Sequence, residues 1–392
     1  MSKLKVGLLG RVVIAIILGI VLGLVFPDWL SRVFLTFNGI FGNFLNFVVP
    51  LIILGLIAPG IGDLGKNAGK LLLITSLLAY GFTTFTGLFA YFSGVALLPT
   101  VLGSNEASTV GEAVKELQPY FTLEMLPVFG VMTALILAFM LGLGISFAGG
   151  TVLKRGLDEF KGIIMLVINR VIIPLLPLYI FGIFLSLTVA GQVASVLSVF
   201  IKIVVLVFIL TVILLLLQFI VAGAIAKKNP FTSLKTMMTA YLTALGTQSS
   251  AATIPVTHQQ ALKIGIDKDI AGFVIPLGAT IHLSGSMLKI TLTAMAVMMM
   301  SGTMVGPDVF IGFILVLGIT MVAAPGVPGG AIMAAVGVLT SVLGFNEEAI
   351  GLMIALYIGM DSFGTAANVT GDGAIAMIVD RIYQKKSQIE SE

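Results

Sequence analysis

The stretch DSFGTAANVTGDG, residues 361–373, carries two aspartates, an asparagine and two threonines, yet it reads as part of one long membrane helix. On a helix the polar residues recur at intervals of four, three and four positions, which places on one face Asp361, Thr365, Asn368 and Asp372. Two carboxylates inside a membrane are costly unless they meet a cation or a hydrogen-bond donor. Carboxylate and amide oxygens together suit an alkali cation or an ammonium group. The face therefore predicts a binding site, whereas for the threonines alone the alternative is hydrogen bonding between packed helices.

The rest of the chain has the composition of a polytopic membrane protein. It is 58% hydrophobic and 10% charged, with a mean hydropathy of +1.15, against about 25% charged residues in soluble domains. A span needs about 20 apolar residues. The sequence predicts spans near residues 6–26, 33–58, 70–97, 124–148, 163–191 and 196–226, and a more broken pattern from residue 232. We expect the first segment to be a retained helix, because no small-residue cleavage site follows it.

Loop charges predict the orientation. Basic residues cluster at the N-terminus (Lys3, Lys5), around Lys66, in KRGLDEFK at 154–161, in AKKNP at 226–230 and in the C-terminal tail, whereas the 98–125 loop and FNEEA at 345–349 are acidic. Because basic loops stay on the cytoplasmic side, both termini are expected in the cytoplasm and the protein in the cytoplasmic membrane. The chain has no cysteine, no basic run typical of nucleic-acid binding, no Walker-type phosphate loop and no hydrolase motif at membrane depth. We therefore expect neither an enzyme nor a cofactor, and membrane lipids as partners.

Two breaks interrupt the apolar pattern of the C-terminal half. TALGTQSSAATIPVT at 243–257 is rich in hydroxyls, and TMVAAPGVPGGAIMAAV at 320–336 is rich in glycine and proline. Non-helical backbone at membrane depth survives only where it is buried in protein or lines a wet cavity, and paired breaks are typical of a transporter's midplane site. We predict two re-entrant helical hairpins whose tips meet, the second forming the outer gate. The alternative for the second break is a turn between two ordinary spans.

Such hairpin tips have the chemistry to bind a carboxylate. Helix N-termini offer free N–H groups and a partial positive charge. The hydroxyls of Ser249, Ser250 and Thr253 add donors at the first tip, and Gly326 and Gly329 let the second tip approach a ligand closely.

Residues 232–380 resemble the dicarboxylate/amino acid:cation symporters, which include glutamate and neutral amino acid transporters. The resembling motifs are SSAATIPVT at 249–257, IPLGATIHLSGS at 275–286, GVPGGAIM at 326–333 and NVTGD at 368–372. The resemblance implies an all-α fold of eight transmembrane helices and two re-entrant hairpins, a homotrimer and an elevator mechanism. It implies scaffold helices one and two in 1–69, transport-domain helix three in 70–97, and an outer loop with scaffold helices four and five in 98–191. The transport-domain core would then be 192–392, with hairpins at about 232–256 and 306–342.

The resemblance also implies roles for single residues. Asp361 is similar to the carboxylate that receives a substrate amino group, Asn368 to an amide on the substrate carboxylate, and Thr365 to a substrate-side hydroxyl. Ser250, Gly326 and Gly329 resemble tip residues that hold the ligand. The candidate residues for cation binding or proton coupling are Gly278, His282, Ser284, Lys289, Asn368 and Asp372. Sodium, where it is used, would lie at Asp372 and Asn368.

The chain departs from the family at the substrate site. Carriers of acidic amino acids place an arginine immediately before the position of Thr365, where this chain has Gly364. Losing that charge-assisted contact removes about 1.5–3 kcal/mol for an acidic side chain, so we favour small neutral amino acids such as serine, threonine or alanine. The alternative is a dicarboxylate or acidic amino acid, with Lys289 as the substitute cation.

A second departure concerns the coupling ion. The family's Asn-Met-Asp run is replaced here by His282, Leu283 and Ser284, so oxygen ligands for sodium are lost. A membrane histidine can carry protons near neutral pH. We expect coupling to Na⁺ or H⁺. His282 is either a proton carrier or a hydrogen-bonded core residue, and Lys289 either places its ammonium in a cation's position near Asp372 or extends to the membrane surface. A channel is the rival function, but it would need a symmetric ring of pore-lining groups.

Overall fold

The computed structural model describes residues 7–63, 70–103, 117–148, 150–324 and 328–390, which are helical over most of their length and contain no strand. Lys3, Lys5, Lys66 and the predicted site residue Gly326 lie outside these ranges. The helices are α1 (Leu8–Gly23), α2 (Asp28–Asp63), α3 (Lys70–Leu102), α4 (Val131–Ala148), α5 (Thr151–Val167), α6 (Ile173–Val189), α7 (Val193–Ala226), α8 (Pro230–Thr247), α9 (Ser250–Lys263), α10 (Lys268–Ile281), α11 (Ser284–Ser301), α12 (Pro307–Ala323), α13 (Gly330–Leu343), α14 (Glu347–Gly359) and α15 (Asp361–Glu390).

Five helical segments in the described part of the chain are long and apolar enough to cross a membrane. They contain 33 to 39 residues and correspond to α2, α3, α5 with α6, α7, and α10 with α11. At about 1.5 Å per residue each exceeds the ~30 Å hydrocarbon thickness. A sixth span results if α14 and α15, bent by 63°, count as one. The protein is therefore a multi-pass membrane protein.

Some predicted spans differ from the observed helices. The segment predicted at 163–191 begins earlier, at Thr151, and passes through a short π-helical turn at Ile168–Ile172. The segment predicted at 124–148 becomes helical only at Val131, and α1 has 16 residues. Apolar composition predicts where a helix lies in lipid, but it marks the helix ends poorly.

Each predicted hairpin region contains a pair of consecutive helices. The first pair, α8 and α9, meets at Gln248 and Ser249, with Gln248 in the left-handed conformation at φ 54°. These two helices pack on each other and on α15, while α12 and α13 pack on each other and α13 also contacts α2 and α14. The first pair spans 230–263, which is wider than the predicted 232–256, and the second spans 307–343, which is the predicted 306–342 shifted by one residue.

A side-chain cap determines where the first of these pairs begins. The Asn229 side chain accepts hydrogen bonds from the backbone N–H groups of Phe231 at 3.0 Å and Thr232 at 3.1 Å. Pro230 occupies the first helical position, where its missing N–H costs nothing.

We expect Asn229→Ala to destabilise the protein, because two N–H groups lose their acceptor. The cost is about 1 kcal/mol, seen as a fall of about 1–3 °C in Tm of the detergent-solubilised protein. The matched control is Thr243→Ala on the same helix, whose exposed hydroxyl donates only to the Thr239 carbonyl. Equal shifts for the two variants would contradict the capping role.

The DSFGTAANVTGDG stretch does not continue the preceding helix. Helix α14 ends at Gly359, Met360 leaves helical geometry at φ −108° and ψ 8°, and α15 begins at Asp361. The prediction of one long helix was therefore wrong, although the four polar residues remain within α15. The break places Asp361 at a helix N-terminus, where backbone N–H groups and the helix dipole stabilise a carboxylate.

Helix α11 lies at the centre of the molecule. Nearly all of its residues from Ser284 to Met300 are buried, and it contacts α3, α7, α14 and α15. The α10–α11 segment is interrupted at His282 and Leu283, which have extended or irregular backbone. The polar residues of this break and of α11 therefore lie against those of α15.

Candidate functional site

A deeply buried ion pair joins α11 to the start of α15. Lys289 Nζ lies 3.2 Å from Asp361 Oδ1, with the two side chains 0% and 7% exposed. The same ammonium donates to the carbonyl of Met360 at 3.3 Å and lies 3.7 Å from the ring centroid of Tyr357. A buried charge needs a partner of this kind, so the two residues form one electrostatic unit.

Room for the lysine side chain comes from Gly364. A Cβ atom on Gly364 would collide with Cε and Nζ of Lys289 and lie 3.1 Å from its Cδ. The lysine therefore crosses the position where carriers of acidic amino acids are expected to have an arginine.

Both helix-pair tips reach consecutive residues at the N-terminus of α15. The backbone N–H of Gly329, whose φ is +75°, donates to Asp361 Oδ2 at 2.9 Å. At the other tip, Gln248 Nε2 donates to Ser362 Oγ at 2.9 Å. One residue of each break, Gly329 and Gln248, thus contacts the N-terminus of α15.

The hydroxyls of the first tip are mostly used within the tip. Ser249 caps α9 by accepting from Ala252 N, and Thr253 Oγ1 donates to the Ser249 carbonyl at 2.8 Å. Thr253 Oγ1 also lies 3.0 Å from Thr247 Oγ1. Ser250 is 4% exposed and begins α9, so its backbone N–H belongs to the first turn.

Asn368 connects α15 to the N-terminus of α11. Its Oδ1 accepts from the backbone N–H groups of Gly285 at 2.7 Å and Ser286 at 3.4 Å, and its Nδ2 donates to Ser286 Oγ. Ser286 Oγ in turn lies 2.9 Å from the hydroxyl of Tyr357. The amide therefore caps α11 from a neighbouring helix.

Removing this cap should destabilise the core. Asn368→Ala leaves first-turn N–H groups of α11 buried without an acceptor, at a cost of about 1–3 kcal/mol, and we expect a lower Tm in detergent. Ser286→Ala keeps both N–H groups bonded to Asn368 and should have a smaller effect. A variant Asn368→Ala as stable as the wild type would contradict the interhelical cap.

Asp372 forms a second centre about three helical turns further along the same face of α15. Its Oδ1 lies 3.0 Å from His282 Nδ1, and both side chains are at most 1% exposed. A Cβ on Gly278 would lie 2.7 Å from the same oxygen. The partner of Asp372 is His282, so the predicted approach of Lys289 to Asp372 gives way to the pairing of Lys289 with Asp361.

Several buried polar atoms around this second centre have no hydrogen-bond partner among the described residues. They are Asp372 Oδ2, His282 Nε2, Ser284 Oγ and both amide atoms of Gln218. A Cβ on Gly371 would lie 2.6 Å from His282 Cε1 and 2.8 Å from Gln218 Oε1, which places these two side chains beside that glycine. Buried polar atoms are normally satisfied, so these atoms indicate a place for water or a cation.

Several residues of the two centres were not among the predicted site residues. They are Gln218, Gln248, Ser286, Tyr357 and Ser362. Gln248 lies inside the TQSS break, and Gln218 is a polar residue within the apolar run LLLLQFIV. Both could therefore have been recognised from the sequence as candidate site residues. Tyr357 could not have been recognised in this way, because an aromatic residue in a membrane helix is usually a packing residue.

Comparisons with known proteins agree on the class of this protein. It is a membrane transporter of the symporter type and not an enzyme. The model of the sodium:dicarboxylate symporter family matches residues 8–382. The chain therefore belongs to the sodium:dicarboxylate symporter family.

Individual relatives differ in how much of the chain they match. The chain is 28% identical to a serine/threonine transporter of Acinetobacter baylyi, over 96% of this chain and 98% of that protein. It is 33% identical to excitatory amino acid transporter 2 of Homo sapiens, but over only 43% of this chain and 29% of that protein. The family resemblance noted in the sequence is confirmed.

Proposed function

We propose that the chain is a secondary active symporter that moves a small carboxylate-bearing solute across the cytoplasmic membrane together with a cation. The observation that carries this proposal is the meeting of both tips at Asp361 and Ser362. Two helix N-termini, of α9 and α13, lie beside these tips. N-termini stabilise a carboxylate, while Asp361 is the negative charge that the described residues place there.

The moving parts proposed here are those that the family resemblance implies. The two helix pairs would act as re-entrant hairpins, with α12–α13 as the outer gate and both termini in the cytoplasm. Helices in 1–69 and 98–191 would form a scaffold, and those in 70–97 and 192–392 an elevator-type transport domain. A homotrimer would hold the scaffolds fixed in the lipid.

Two substrate classes are candidates, each favoured by a particular observation. A small neutral amino acid is favoured by Gly364, which stands where an arginine would receive an acidic side chain, and by the similarity to serine/threonine transporters. A dicarboxylate is favoured by Lys289, whose ammonium crosses Gly364 and lies at the tip.

The driving cation would be Na⁺ or H⁺. Asp372 and Asn368, with the backbone at Gly278, are the residues that would hold sodium. The Oδ2 of Asp372, which has no hydrogen-bond partner among the described residues, fits a cation. His282 stands where the family's asparagine would offer oxygen, so we propose fewer cation sites than the family pattern implies.

Uptake into liposomes tests this proposal. Purified protein is given labelled serine, alanine, aspartate and succinate, with a sodium gradient alone or a proton gradient alone. We expect saturable uptake and counterflow that require one of the two gradients. Non-saturating current would indicate a channel, and sodium dependence that survives His282→Ala would exclude His282 as an obligatory proton carrier.

A further inference from the structure

The Asp361 carboxylate at the tips already has a cation of its own. Lys289 Nζ lies on Oδ1 at 3.2 Å, and the N–H of Gly329 occupies Oδ2 at 2.9 Å. Both side chains are almost fully buried. A solute that entered with an amino group would bring a second ammonium to a carboxylate whose charge is already balanced.

Several contacts fix the position of the Lys289 side chain beside Asp361. Its ammonium faces the Met360 carbonyl and the Tyr357 ring as well as Asp361, and its alkyl chain fills the space that Gly364 leaves open. A flexible lysine that merely reached toward the membrane surface would be exposed at its head group, whereas this side chain is fully buried.

We propose that Lys289 determines substrate specificity, because its tethered ammonium occupies the place that a substrate amino group would take beside Asp361. The ligand class that follows is a small carboxylate without an amino group, recognised by Lys289 and by the N–H groups of the tips. This inference rests on the proposed carrier function and selects one of its two substrate classes.

Electrostatics supports the selection. The Lys289–Asp361 pair is neutral as a unit, so the helix N-termini of the tips are left to attract an anion. A zwitterion would have to displace Lys289 from Asp361 or place two ammonium groups within a few ångströms of each other in a dry site. Like charges repel strongly where water is excluded.

The test uses solute pairs that differ only in the amino group. Each unlabelled compound is tested as an inhibitor of the uptake of a labelled solute. The inhibition constant of succinate is then compared with that of aspartate, and the inhibition constant of propionate with that of alanine. In the wild type we expect the member without the amino group to bind at least about tenfold more tightly. In Lys289→Met the preference should reverse, because Asp361 is then free to receive an amino group.

A second variant keeps both charges and moves the lysine. In Gly364→Ala the new Cβ displaces the Lys289 head, so we expect the preference for succinate over aspartate to fall at least about fivefold. Because the added methyl acts through the lysine, it should change nothing further in Lys289→Met, and the double-mutant cycle should be strongly non-additive. Lys289→Arg, which keeps the charge, is the conservative comparison and should keep the wild-type preference.

The possible outcomes distinguish a failure of the proposed role of Lys289 from a failure of the proposed carrier function. Two results would overturn the role of Lys289 and leave the carrier function intact. One is saturable uptake in which the wild type prefers amino acids. The other is a ratio of inhibition constants that is unchanged in both Lys289→Met and Gly364→Ala. If Lys289→Met does not fold, the ratio of inhibition constants in Gly364→Ala is by itself sufficient to test the role of Lys289. Absence of saturable uptake and counterflow for all four solutes in the wild type defeats the carrier function itself.

Discussion

Uptake by Asp361→Asn is expected to fall below about 1% of the wild-type rate. The substitution removes the negative charge that the described residues place at the meeting point of the two tips. It also leaves one amide oxygen where two carboxylate oxygens accepted from Lys289 and from the Gly329 N–H. A buried ammonium left without its counter-charge costs about 3–5 kcal/mol. Initial rates of labelled uptake into liposomes measure the loss, normalised to the amount of folded protein.

Misfolding and loss of function can be separated for this variant. The double variant Asp361→Asn/Lys289→Met removes both charges, so its Tm should recover toward that of the wild type while uptake stays absent. The matched control is Asp308→Asn, which changes an exposed aspartate in the first turn of α12. Rates near the wild-type value for Asp361→Asn would contradict the site.

Gly278→Ala is expected to reduce uptake at least about tenfold. The added methyl would lie 2.7 Å from Asp372 Oδ1 and 2.9 Å from Cγ, so the carboxylate must shift from its position 3.0 Å from His282 Nδ1. The Asp372 oxygens are proposed to bind the coupling cation. Because the site is buried and closely packed, its side chains have little space in which to rearrange. The concentration of Na⁺, or the pH, that gives half-maximal uptake measures the change.

Helix α10 provides a matched control for this change. Gly272 lies on the same helix, and a Cβ there would meet only His258 Nε2, at 3.9 Å. Gly272→Ala should therefore transport normally and be slightly more stable, because alanine favours a helix over glycine. If the two alanine variants had the same cation dependence, the placement of the coupling site at Asp372 would be wrong.

Much of the site could be predicted from sequence because its residues share local patterns. The spacing of Asp361, Thr365, Asn368 and Asp372 follows from helical geometry alone, and each interrupted segment contains the turn between two helices. The helix content and the multi-pass topology follow from composition in the same way.

The pairings could not be predicted, because they join residues far apart in the chain. Lys289 meets Asp361 across 72 positions and His282 meets Asp372 across 90, and sequence spacing contains no information about either contact. The helix break at Met360 was also missed, since no proline marks it and glycine is common in membrane helices. Which partner satisfies a buried charge is decided by tertiary packing.

The bend at Met360 also has a consequence for how the protein is made. Helix α14 has 13 residues, about 20 Å, and cannot cross the hydrocarbon by itself. The next residues bring two aspartates and an asparagine, which the insertion machinery integrates at a high cost. This last span should therefore enter the lipid late in biogenesis, after α11 is in place to supply the ammonium that neutralises Asp361.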